Sequence, residues 1–152
     1  MDAEGMVHAL EEIRRLLKPD GCLIDIHPIR EAPFIRVYQK QNMLLEESDP
    51  GYDSDEGLRH TENALEEVVR RGLYLIEGKH EFEAVLYAST VSEMLEYWAT
   101  YGAFDDEPKD EAIVARQNEI YAQADDLMDS NEGAEISYHE RARITRLKPN
   151  AS

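Results

Sequence analysis

The chain has 152 residues, with 16 Lys and Arg against 33 Asp and Glu, and a formal net charge of -17. That acid excess argues against an unassisted nucleic-acid surface and against docking on anionic lipid, because both depend on Lys and Arg. With 42% apolar and 32% charged residues, a single folded domain spanning residues 1–152 with a heavily solvated exterior is expected.

The one cysteine, Cys22, cannot form an internal disulfide or a Cys-based zinc framework, and a lone thiol suits a reducing cytoplasm. No apolar run approaches a membrane span and no Arg- or Lys-led apolar segment opens the chain. The expectation is a soluble cytoplasmic protein with neither a nucleic-acid nor a membrane partner.

From Ala3 to Leu17 the apolar residues Met6, Val7, Leu10, Ile13, Leu16 and Leu17 recur at three and four, the stripe of an amphipathic helix. Lys18-Pro19-Asp20-Gly21 ends it in a turn, and Cys22 to His27 reads as a short strand closed by Pro28. Phe34 to Tyr38 suggests a second strand and Asn42 to Glu46 a weaker third. Glu47 to Glu56 is acid-rich, carries Pro50 and Gly51, and is expected to be an exposed, mobile loop. A calcium loop is a poor fit there: with Gly57 at the sixth position, Tyr52 occupies the first.

Leu58 to Arg71 is expected to be helical, with Gly72 just past its end. Leu73–Ile76 and Phe82–Tyr87 are extended runs interrupted by Glu77-Gly78-Lys79, either a hairpin or one long bent strand. Ser89 or Thr90 is placed to cap the next helix, with Glu93 completing a capping box. That helix holds Met94, Leu95, Tyr97, Trp98 and Tyr101 and ends near Gly102. Pro108 is expected to begin a longer helix that ends before Asn131 or Gly133, and Ala134 to Leu147 reads as a strand carrying Arg141, Arg143 and Arg146.

The order of elements points to an α+β fold with a mixed, mainly antiparallel sheet and helices packed on it. The segment from His8 to Ile26, with its Leu17-Lys18-Pro19-Asp20-Gly21 turn between a helix and an apolar strand, resembles the late part of a class I S-adenosylmethionine-dependent methyltransferase. That family usually has Leu-Lys-Pro-Gly-Gly at this turn, so Asp20 departs from it. Gly72-Leu73-Tyr74, Val91 to Leu95 and the closing Arg141 to Thr145 are similar to later elements of such enzymes. The resemblance implies a fold derived from the C-terminal part of a Rossmann-like methyltransferase.

The family's cofactor turn is a glycine-rich strand-to-helix connection. Here the glycines stand at 5, 21, 51, 57, 72, 78, 102 and 133, and no two are separated by one residue. The resemblance therefore implies a methyltransferase-like chain without the cofactor-binding half, with no cofactor expected on the isolated chain. It is expected to be non-catalytic alone, acting as a binding or regulatory module or as a subunit of a split methyltransferase. The alternatives are an active S-adenosylmethionine-dependent methyltransferase with an intermolecular cofactor site, and a gene fragment. A homodimer, or a partner chain, is expected to cover an exposed sheet edge.

Asp25 and His27 share a strand face by their period-two spacing. A carboxylate-oriented base, two metal ligands and a structural pair all remain open, although no third ligand is visible. Tyr97, Trp98 and Tyr101 either line a pocket for a small apolar ligand or belong to the core. Asp25, His27, Tyr97, Trp98 and Tyr101 are thus the candidate small-molecule pocket, with no catalytic residue or metal site assigned. His60, His80 and His139 lack the spacing of a metal motif and are expected at the surface.

Overall fold

In a computed structural model the described residues are 3–52, 56–101 and 110–150. Among them lie four helices, α1 (Ala3–Leu16), α2 (Glu56–Arg70), α3 (Val91–Tyr101) and α4 (Glu111–Ser130). The five strands are β1 (Leu23–Pro28), β2 (Phe34–Gln39), β3 (Asn42–Ser48), β4 (Tyr74–Ala88) and β5 (Ala134–Pro149). The fold is α+β, and its sheet is antiparallel in the order β1-β5-β2-β3 with β4 also paired to β5. No helix among the described residues is long and apolar enough to cross a membrane.

The chain divides into two compact units, the first from residues 1–31, 54–83 and 141–152 and the second from 32–53 and 84–140. Strands β4 and β5 contribute to both.

In the first unit β1 pairs with the second half of β5, in a register that sets Leu23 against Leu147, Asp25 against Thr145 and His27 against Arg143. Period-two alternation puts these six side chains on one face. Leu23 and Leu147 pack there with Val7 and Leu10 of α1, Ala64, Leu65 and Val68 of α2, and Tyr74. The Tyr74 hydroxyl donates to Leu10 O at 2.8 Å, which pairs the one polar atom of a fully buried ring. Helix α2 ends with Gly72 at φ +72°, while the Leu73 N–H reaches back to Val68 O at 3.0 Å. This left-handed position past the last turn favours glycine because a Cβ is strained there. Between α1 and β1, the Gly21 N–H closes the turn on Lys18 O at 2.9 Å.

In the second unit β2 lies between β3 and the first half of β5. Ile35, Val37, Leu45 and Ile136 form the sheet side of its core, with Val91 and Met94 of α3 and Ile120, Tyr121 and Ala124 of α4 packed on them. The expected capping box is present at α3. Thr90 Oγ1 accepts from the Glu93 N–H at 3.1 Å and Glu93 Oε2 accepts from the Ser89 N–H at 2.8 Å.

Of the two readings open for the run around Gly78, the single long strand is the one observed: residues 74–88 continue without a break. Two expectations are corrected. Helix α4 starts at Glu111 with Asp110 as its cap, since the Asp110 carboxylate accepts from the Ala112 N–H at 2.8 Å; Pro108 and Gly102 lie outside the described residues. His139 is buried, with Arg36 and Tyr38 on the neighbouring strand in contact with its ring.

Candidate functional site

The β1/β5 face of the first unit carries Asp25 and His27 two residues apart, and the ring nitrogen Nδ1 of His27 lies 2.6 Å from Asp25 Oδ2. A carboxylate only accepts hydrogen bonds, so Nδ1 carries the proton between them. In the neutral imidazole this leaves a lone pair on Nε2. His27 is 8% exposed, and its Nε2 is buried with no hydrogen-bond partner among the described residues. Thr145, opposite Asp25, is also buried.

His27 lines a pocket of about 530 Å³ contained in the first unit. Leu65 and Val69 of α2, Ile76 of β4 and Leu147 of β5 give it apolar walls, and Thr145 adds a hydroxyl. Glu62, Glu66, Arg70, Lys79 and Arg143 supply its charges. Most of these are already answered. Arg143 bridges Glu81 at 2.7 Å and Glu62 at 3.5 Å, and Arg70 forks onto Glu67 with both contacts at 2.7 Å. The Arg143 hydrogen bond holds the Glu81 carboxyl below the usual carboxylate range, aided by Arg141 and Lys79. Arg70 and Arg71 together hold Glu67 down to about 2.

The basic residues of β5 are therefore occupied within the unit. Arg141 meets Glu31 and Glu81, and Arg146 and Lys148 meet Glu77.

The aromatic candidates are elsewhere. Tyr97, Trp98 and Tyr101 belong to α3 of the second unit and are not among the residues lining the pocket that holds His27. Trp98 packs edge-on against Tyr138 with ring centroids 4.7 Å apart and borders the core, whereas Tyr97 and Tyr101 stack on each other and stay largely exposed. Asp25 does not line the pocket itself; it orients the histidine that does.

A second pocket, of about 360 Å³, lies beside the start of α3 and is lined by Asp125, Asp129 and Glu135. The helix donors beside it are already capped by Thr90 and Glu93, which leaves mainly carboxylates to face a ligand. Among the described residues no group of three or more His, Cys, Asp or Glu is placed to hold a metal ion.

One network escaped the sequence reading. Asp49 accepts from the Tyr138 hydroxyl at 2.7 Å, from Gln117 Nε2 at 2.9 Å and from the Gly51 N–H at 2.8 Å. Burial and the Asp49 charge push the Tyr138 phenol far up and the Tyr121 phenol up to about 12, and the same causes raise Glu140. The described start of the acidic loop is thus tied down by polar contacts; Asp53 and Asp55 lie outside the described residues.

No family, no curated protein and no solved structure matches this chain.

Proposed function

We propose that the chain is a methyltransferase-like protein lacking the S-adenosylmethionine-binding half, non-catalytic alone, and that it works as a small-molecule binding or regulatory module or as a subunit of a split methyltransferase. The observation that carries this reading is the pocket of about 530 Å³ against a buried histidine whose second ring nitrogen has no partner among the described residues. Ligand sites combine apolar walls with a few oriented polar groups, and this pocket has both. The descent is supported by the pairing of the strand after the Leu17–Gly21 turn with the closing strand, so that two segments carrying the resemblance are neighbours.

The reading includes a cytoplasmic protein that uses no cofactor by itself and partners a second copy. Strand β1 ends the sheet order with Ile24 and Ile26 exposed, the kind of edge that another chain covers. Calorimetric titration with S-adenosylmethionine tests the functional half. No saturable heat is expected, and binding near micromolar would replace this reading with that of an active enzyme whose cofactor site is intermolecular.

A further inference from the structure

We propose that the pocket of the first unit takes a small, uncharged, mainly apolar molecule bearing one O–H donor, of which a phenol is the simplest, with His27 Nε2 as the acceptor. The proposal rests on reading that pocket as a small-molecule site. With Nδ1 donating to Asp25 at 2.6 Å, Nε2 is the ring nitrogen left for a ligand, and it is buried without a partner among the described residues. A buried acceptor left unmet costs free energy that an incoming donor recovers, so a ligand with an O–H gains what an ether of the same shape does not.

The walls decide the rest of the molecule. Leu65, Val69, Ile76 and Leu147 favour an apolar body, and about 530 Å³ accommodates a substituted aromatic ring. The charges around it favour a neutral one. Arg143 is bound by Glu62 and Glu81, Arg70 by Glu67, and the Lys79 charge acts on Glu81. A charged ligand competes with the carboxylates and cations already paired here, whereas a neutral one leaves those pairs in place.

The test compares p-cresol with 4-methylanisole, which has the same ring and methyl group but an ether in place of the hydroxyl. Both are titrated at neutral pH into the full chain, following the methyl resonances of Leu65, Val69, Ile76 and Leu147 by NMR. The expected result is movement of these resonances by p-cresol, with an affinity on the order of tenfold above that of the anisole, the size of one net hydrogen bond. His27→Phe is expected to abolish the preference while still binding both, and the comparison in the unaltered chain stands without that variant. Equal affinity for the two probes overturns the O–H acceptor role but leaves the pocket as a binding site. No movement of the methyl resonances of these four residues by either probe overturns both.

Discussion

At the scale of single residues, the polar side-chain atoms withdrawn from solvent among the described residues fall into two classes, those that are answered and those that are not, His27 Nε2 and Trp98 Nε1. Asp49 is the fullest example of the first class, with both carboxylate oxygens engaged by Tyr138, Gln117 and the Gly51 backbone. Asp49→Ala leaves a partly buried phenol and a glutamine without their acceptor, and is expected to cost about 1–3 kcal/mol in urea unfolding. The tyrosines around it give a pH prediction of definite sign. The Tyr121 phenol is raised to about 12 in the folded chain from an ordinary value of 10, and Tyr138 is raised further. Such groups favour folding fully below pH 10 and lose that contribution as the pH climbs through their folded values. Spectrophotometric titration is therefore expected to show Tyr121 and Tyr138 ionising only as the second unit unfolds, with stability falling from pH 10 upward. A smooth titration of every tyrosine near the ordinary value, with the fold intact, contradicts this. Of these residues, Asp25 and His27 were legible because period-two spacing puts them on one face. Asp49 was not, because in sequence it is one acid among several in a polar run, and its three donors lie far along the chain or come from the backbone.

At the scale of elements, most boundaries follow from local chemistry, and the exceptions have tertiary causes. The helix that Ser89, Thr90 and Glu93 announce begins where they place it, because capping is satisfied within five residues. Thr90→Ala removes the acceptor of the Glu93 N–H and is expected to cost about 1 kcal/mol, read as a lower urea midpoint with unchanged slope. Strand β4 is the contrasting case. Glu77-Gly78-Lys79 has the composition of a turn, yet the strand continues through it. Its partner β5 explains this: Arg146 and Lys148 meet Glu77 while Arg141 and Arg143 meet Glu81, so the cross-strand ion pairs flank Gly78 on both sides. Individually such half-exposed pairs are worth little, but they sit along a ladder whose backbone bonds already hold the strand. A turn signal three residues long cannot report a partner strand some sixty residues away. The same limit explains His139, whose cover comes from Arg36 and Tyr38 on β2.

At the scale of the whole molecule, two features set the terms for association with a second copy: a net charge of -17 and the exposed Ile24 and Ile26 on a strand that ends the sheet order. They act in opposite directions. Burying the two isoleucines and their neighbour Ile144, which faces Ile26 across the sheet, favours contact between copies. Two chains each carrying that excess of acid repel one another, and because the cations of β5 are already matched within the chain, few remain to offset the repulsion. Salt shortens the reach of the repulsion, from a Debye length of about 30 Å at 0.01 M to about 8 Å at 0.15 M, and leaves apolar burial nearly untouched. A homodimer built on this face should therefore tighten as ionic strength rises, the reverse of an interface held by ion pairs. Sedimentation equilibrium at low and physiological salt is the measurement, with Ile26→Glu as the variant. The expected outcome is a monomer–dimer equilibrium that shifts toward dimer with added salt and is lost in the variant, whose circular dichroism stays unchanged because the altered side chain is already exposed. A monomer at micromolar concentration in both salts refutes the homodimer, and a dimer that dissociates as salt is added moves the interface away from β1 to a charged surface.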